Sequence, residues 1–331
     1  FRDAGAKAVA MEVSSHALDQ GRVDNVQFDV AVFTNLTRDH LDYHGDMARY
    51  WSAKAALFAW PGLPSAVINI DDAQGALLAQ QLQGGSLDVW TCSRRGPARL
   101  QARAIASSQG LAFEVIEGQA VQTLHTGLIG DYNMDNLLGV IGSLRALGFD
   151  LTQAVQACAQ LTAVPGRMER VPVDLSVDQL DVASPLVVVD YAHTPDAITQ
   201  ALAALRSQAS LRGGRLWCVL GCGGDRDASK RPLMAAAAEA GADQVVLTSD
   251  NPRTESPEAI VAAMVQGLSR PTLARVQLDR ALAIDGAVAQ SAAQDVVLVA
   301  GKGHESEQEI MGVRQPLSDV AQARRALQQR A

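Results

Sequence analysis

Two short clusters early in the chain combine groups able to bind metal, move protons or hold anions. Glu12-Val13-Ser14-Ser15-His16 closes one apolar run, and Asn35-Leu36-Thr37-Arg38-Asp39-His40-Leu41-Asp42-Tyr43-His44-Gly45 follows another. The first cluster sits where ligands bind at strand ends, and the carboxylates of the second suit a hard cation such as magnesium, with histidine a less usual ligand. Two plainer readings compete: Ser14 or Ser15 caps a helix, and the second cluster is a solvated loop. A third segment, Tyr50 to Phe58, is an apolar helix carrying the single cation Lys54. Pattern alone favours a lysine whose stem covers apolar surface, although burial also makes the neutral, reactive amine of a lysine available. In the second half, four polar segments each follow an apolar run: Asp190 to Asp196 (DYAHTPD), Gly221 to Asp227 (GCGGDRD), Ser249 to Arg253 (SDNPR) and Gly301 to Glu305 (GKGHE). Glycines directly after a strand let backbone amides approach an anion. Neither GxGxxG nor GxxxxGK[ST] occurs anywhere in the chain.

Such groups need elements to hold them. The apolar runs Val9 to Val13, Val30 to Phe33 and Ala66 to Ile70 predict buried strands alternating with helices, the pattern of a mostly parallel sheet. Residues 85 to 126 differ: the alternation in Phe113-Glu114-Val115 and the turn signals Gly84-Gly85 and Gly118 predict smaller antiparallel strands. A helix is expected from Asn133 to Leu147 with Gly148 as its C-cap, and another from Leu151 to Leu161. Val164-Pro165-Gly166-Arg167-Met168 then breaks the chain, which predicts two domains, 1–164 and 165–331. Beyond the break, Leu186 to Asp190, Leu216 to Leu220, Gln244 to Thr248 and Val296 to Ala300 read as buried strands, and Ala201 to Leu205 and Ala235 to Ala240 as helices. That is a doubly wound α/β sheet, in which ligands sit beyond the carboxyl ends of the strands.

The bulk properties narrow the class. At 331 residues the chain is long enough for roughly two domains. With 48% hydrophobic and 19% charged residues it is neither disordered nor fibrous. A net charge of −8, from 28 basic and 36 acidic residues without long basic runs, argues against a nucleic-acid partner. Cys92, Cys158, Cys218 and Cys222 are too scattered for a disulfide framework, which fits a reducing cytoplasm. No segment approaches the ~20 apolar residues of a membrane span, and no signal peptide is evident. The opening Phe1-Arg2-Asp3, with an apolar run only a few residues later, suggests that an upstream part is missing.

Eight segments in order, EVSSHAL (12–18), NLTRDHLDYHG (35–45), AKAALF (53–58), PGRMERV (165–171), DYAHTPD (190–196), GCGGDRD (221–227), DNPR (250–253) and GKGHE (301–305), resemble the Mur ligase family over essentially the whole chain. Within the family the resemblance is to the members that add 2,6-diaminopimelate. It implies a partial central ATPase-type α/β domain over 1–164, lacking the GTNGKT-type phosphate loop, and a C-terminal Rossmann-like domain over 165–331. On that expectation this stretch alone is an incomplete catalyst. The implied reaction is cytoplasmic peptidoglycan-precursor synthesis, and so serves cell-wall growth, cell shape and division. ATP phosphorylates the D-glutamate γ-carboxylate of UDP-MurNAc-L-Ala-D-Glu, and the amine of meso-diaminopimelate displaces phosphate. The resemblance assigns Glu12 and His40 as magnesium ligands and Lys54 as a carbamylated lysine supporting a second Mg²⁺; these three form the catalytic set. Ser14, Gln20 and Arg22 match contacts to the UDP-muramoyl dipeptide. Asn133 and Asn136 match a segment near the adenine, with Tyr132 in place of the usual phenylalanine, and His193 and Asp196 fall near the nucleotide. Arg226, Asp250, Asn251, Arg253, Gly301 and Glu305 match the diaminopimelate pocket. A cation for the distal carboxylate and an acid for the distal amine are what that acceptor requires, and L-lysine would leave Arg253 unpaired. Against this stand a local Asp250–Arg253 turn ion pair, an L-lysine-adding ligase, a folylpolyglutamate synthase and a non-catalytic binding module. A monomer is expected.

Overall fold

The computed structural model describes residues 2–37, 40–107, 110–172 and 184–330. Arg38 and Asp39 of the second cluster lie outside the described residues. The chain divides into two compact units, one of Phe1–Ala104, Phe113–Leu124 and Met134–Ala159, the other of Ile105–Ala112, His125–Asn133 and Gln160–Ala331.

The elements up to residue 160 run α1 (Ser15–Asp19), β1 (Val30–Phe33), α2 (Leu41–His44), α3 (Met47–Ala55), β2 (Ser65–Asn69), α4 (Ala73–Leu82), β3 (Asp88–Ser93), β4 (Leu100–Ile105), β5 (Leu111–Glu117), β6 (Ala120–Thr126), α5 (Tyr132–Ala146) and α6 (Leu151–Ala159). Their six-stranded sheet has the order β1-β2-β3-β4-β5-β6. β1 to β4 pair in parallel, so the expected antiparallel character begins later than residue 85. The two-residue link from β5 to β6 is one that only antiparallel neighbours allow. Ala31, Phe33, Ala66, Ile68, Phe58, Leu63 and Leu78 form the core on one face. Gly148 closes the helix α5 as expected, with φ +93° and its N–H donated to Arg145 O.

The predicted strand at Val9 to Val13 does not form. That stretch has no regular structure, and Val9 and Met11 are 65% and 51% exposed. A strand needs a neighbour for its N–H and C=O groups, and β1 remains the edge of its sheet among the described residues.

The remaining elements are β7 (Glu169–Arg170), β8 (Leu186–Asp190), α7 (Pro195–Arg212), β9 (Leu216–Cys222), α8 (Lys230–Gly241), β10 (Gln244–Ser249), α9 (Pro257–Val265), β11 (Arg275–Val276), α10 (Arg280–Gln290), β12 (Val296–Ala300), β13 (Glu307–Ile310), β14 (Val313–Pro316) and α11 (Asp319–Arg330). The second sheet has the order β11-β10-β9-β12-β8-β7. All its pairs are parallel except β7 with β8. Alternate residues of each strand feed opposite faces: Leu216, Cys218 and Leu220 enter the core with α7, α8 and α9, whereas Trp217 and Val219 meet α10 and α11. This burial on both faces explains the unbroken apolar runs. It also brings the carboxyl ends of β8, β9, β10 and β12 to one sheet edge. Outside the sheet, β13 and β14 form an antiparallel hairpin.

Candidate active site

In the first unit the two clusters meet where α1 packs against α2 and the residue before it. Ser14 caps α1, its Oγ accepting from Ala17 N–H at 3.1 Å, as the plainer reading expected. The His16 ring then packs against Tyr43, His40 and His44, with centroids 4.2, 4.8 and 5.4 Å away. The buried pair Ser15 Oγ and His44 Nε2, 2.9 Å apart, fastens α1 to α2. Tyr50, buried in α3, is shared by two predicted site residues: the His40 ring is 5.9 Å from its centroid and Lys54 Nζ 5.2 Å. Lys54 is half-buried, and His40 holds a left-handed backbone, φ +54°.

Glu12 is exposed on the extended segment before α1, and no hydrogen bond or ion pair to it occurs among the described residues. Nor do three His, Cys, Asp or Glu side chains converge into a metal-binding group there. Gln20 and Arg22 are linked: Arg22 donates to Gln20 Oε1 at 2.5 Å, Gln20 Nε2 donates to Tyr43 Oη at 3.0 Å, and Tyr43 Oη donates to Asp19 at 2.8 Å. Asn133 Nδ2 donates to Ile129 O at 2.8 Å, and Asn136 lies exposed on α5.

In the second unit, the loops after the four central strands carry the remaining candidates. His193 and Asp196 are exposed after β8; His193 Nδ1 lies 2.8 Å from Tyr191 O. Burial pushes the Asp190 carboxyl up, opposed by the N–H groups of Met168 and Ala192 and by the Arg167 charge. Arg226 is exposed in the loop after β9.

The loops after β10 and β12 are joined: Asn251 Nδ2 donates to Glu305 Oε2 at 2.6 Å. Arg253 turns with φ +52°, and its guanidinium donates to Gly224 O at 2.6 Å rather than to Asp250, so the local turn ion pair is absent. Its backbone pairs with the β13–β14 hairpin, Arg253 N–H to Glu309 O at 3.0 Å and Met311 N–H to Arg253 O at 2.6 Å. Gly301 has φ +117°, and a Cβ there would stand 2.4 Å from Asp250 Oδ2. Asp250 is buried, and burial pushes its carboxyl up while Arg280 and Lys302 pull it down.

Sequence reasoning missed three supporting residues. Arg280, 1% exposed, donates to both carboxyl oxygens of Asp319 at 2.7 and 2.6 Å and also to Ser249 O and Ala300 O. Lys302 is fully buried. Gln308 Nε2 donates to Asp250 O at 2.6 Å. Charged side chains beside apolar strands give no sequence signal of burial; only the quoted GKGHE segment pointed near Lys302. The thiols offer no nucleophile: burial pushes Cys92, Cys218 and Cys222 up to about 12 and Cys158 up to about 11.

Comparison with known proteins matches residues 1–144 to the Mur ligase middle domain and residues 166–303 to the Mur ligase glutamate ligase domain. The UDP-N-acetylmuramoyl-L-alanyl-D-glutamate–2,6-diaminopimelate ligase of Acidovorax sp. (strain JS42) is 55% identical over 331 residues, and that of Xanthomonas campestris pv. campestris (strain 8004) 52% identical over 329. The alignments cover 100% and 99% of this chain and 64% of each relative, so the chain spans 64% of the length of these relatives. A solved structure of a ligase of the same description superposes with a TM-score of 0.76 at 41% identity, covering 98% of this chain and 65% of that one. Matched in both halves by domains of one family, in that family's order, the chain belongs to the Mur ligases.

Proposed function

We propose that this chain forms the central and acceptor-binding parts of an ATP-dependent ligase that joins meso-2,6-diaminopimelate to the D-glutamate γ-carboxylate of UDP-MurNAc-L-Ala-D-Glu. The observation that carries this reading is the 2.6 Å bond from Asn251 to Glu305. It ties the loops after β10 and β12 across the end of β9, so that one surface offers the cation Arg253 and the anion Glu305. An acceptor with both a carboxylate and an ammonium at its distal end suits that pairing, and the relatives' names supply the identity.

In the proposed reaction the γ-carboxylate takes the terminal phosphoryl group of ATP, giving an acyl phosphate and ADP. The acceptor amine attacks the acyl carbon, loses a proton, and phosphate leaves as the amide forms. Arg22, whose guanidinium donates to Gln20, is assigned to an anionic oxygen of the UDP-linked substrate. Asn133, Asn136, His193 and Asp196 are assigned to the nucleotide, and Arg226, Asp250 and Gly301 line the acceptor loops. Glu12 and His40 would hold magnesium, which neutralises phosphate charge when bound. The Glu12 carboxylate suits that ion and the His40 nitrogen is a less usual ligand for it, whereas the Lys54 ammonium would repel it. Addition of CO₂ to the neutral Lys54 amine, with loss of a proton, makes a carbamate whose oxygens fit the set and a second cation. The domain boundary near residue 165, the monomeric state and a cytoplasmic setting belong to the same reading.

The test is phosphate release by the full-length gene product given ATP and UDP-MurNAc-L-Ala-D-Glu. Release that requires meso-diaminopimelate is the expected result. Release with L-lysine instead overturns the acceptor assignment, and none with either overturns the ligase reading.

A further inference from the structure

Lys302 sits where its side chain has no solvent contact, and its Nζ meets three hydrogen-bond acceptors, on the loops after β10 and β12 and at the start of β13. Its Nζ donates to Asn251 Oδ1 at 3.3 Å, Glu305 Oε2 at 3.2 Å and Glu307 O at 2.6 Å. A buried ammonium is costly unless all its donors are used, and here three donors meet three acceptors. The consequence is directional. Glu305 Oε2 accepts from both Asn251 Nδ2 and Lys302 Nζ. Its Oε1 has no hydrogen-bond partner among the described residues, while the side chain is 33% exposed. The carboxylate is thus clamped by one oxygen and presents the other.

Asn251 is fixed by the same cation. Its Oδ1 takes the Lys302 ammonium and Glu309 N–H at 3.0 Å, leaving Nδ2 for Glu305. The sheet edge beneath does not depend on Lys302, because Arg280 already joins Ser249 O at the end of β10 to Ala300 O at the end of β12. From this geometry we propose that Lys302 is a positioning residue that sets the direction of Glu305, so that Oε1 receives the distal ammonium of the acceptor. The inference rests on the ligase reading above for the identity of that acceptor.

Lys302→Met keeps the unbranched stem and removes the charge. In the full-length enzyme the KM for meso-diaminopimelate is expected to rise about tenfold or more, the scale of one lost charged hydrogen bond. The KM for ATP is expected to stay within about twofold, since uniform binding elsewhere is untouched. A double-mutant cycle separates positioning from general support: in a Glu305→Gln background, Lys302→Met should add little to the KM. An equal rise in both backgrounds, or a parallel rise in the KM for ATP, overturns the proposal. Lys302→Gln, which retains donors for Glu305 and Glu307 O, serves if the methionine variant does not fold and is expected to keep part of the affinity; a loss as large as that of Glu305→Gln overturns the proposal. Hydrogen exchange supplies a readout independent of turnover. Glu309 N–H, bonded to Asn251 Oδ1, should exchange faster in the variant by more than any change in global stability accounts for, and unaltered exchange counts against the clamp. If the wild type ignores diaminopimelate while that exchange still responds, the acceptor assignment fails and the clamp stands.

Discussion

At the scale of single residues, charge type does not reveal role until the surroundings are known. Lys54 shares the Tyr50 ring with His40, which puts a cation where the proposed metal site wants an anion. If carbamylation resolves that conflict, Lys54→Ala should lower turnover by more than about 100-fold, beyond the loss typical of outer groups around a metal. Added short carboxylic acids should then restore part of it. A fully folded variant that no acid rescues would remove the carbamate from the reading. Ser14 meets the plainer reading, since its Oγ caps α1, while a substrate contact is the role proposed for it. Lys302 and Arg280 were not legible in sequence. A lysine between two glycines and an arginine at a helix start both read as surface charge, and only the packing around them shows otherwise.

At the scale of elements, what was legible depended on whether a segment contains its own reason to fold. The strands β8, β9, β10 and β12 were visible because burial on both faces leaves unbroken apolar runs, and their observed limits lie within two residues of the expected ones. The run ending at Val13 looks alike in sequence yet forms no strand, because pairing is supplied by a neighbour and not by the run itself. The β13–β14 hairpin was invisible for the opposite reason: its residues are mostly exposed and polar, and what holds it is the loop after β10. The junction of β12 with its loop gives a sharp test. Gly301→Ala places a methyl against Asp250 Oδ2 at a positive φ, and such strain costs about 1–3 kcal/mol. Thermal unfolding should register that loss, and the KM for the acceptor should rise more than the KM for ATP. An unchanged Tm would mean that the loop relaxes without cost.

At the scale of the molecule, the second unit carries its candidate residues at one end of its sheet and a buried carboxylate hub at the other. The end opposite the loops is organised by Asp295, which is 1% exposed. It accepts from Arg215 N–H at 2.8 Å, Ala292 N–H at 2.9 Å and Trp217 Nε1 at 2.9 Å. Burial alone would raise its carboxyl, but these donors and the Arg215 charge hold it below the ordinary value. A carboxyl lowered on folding stabilises the protein above its unfolded pKa, and that contribution disappears as pH falls through the folded value. Asp250 and Asp190, raised by burial, act with the opposite sign: they favour the fold at low pH and oppose it as pH rises. Asp295→Asn should therefore cost about 1–3 kcal/mol near neutrality, the range for buried donors left unmatched. It should also flatten the loss of stability below about pH 4. Denaturant unfolding across that range measures both, and an unaltered acid slope would clear Asp295 of the role. At the other end of the sheet, the backbone bonds from Arg253 N–H to Glu309 O and from Met311 N–H to Arg253 O make the loop after β10 and the hairpin move as one piece. If Arg253 selects the acceptor as proposed, moving DNPR alone into another ligase would deliver the guanidinium without the hairpin that holds its backbone, so the graft would have to carry residues 307–316 along with it.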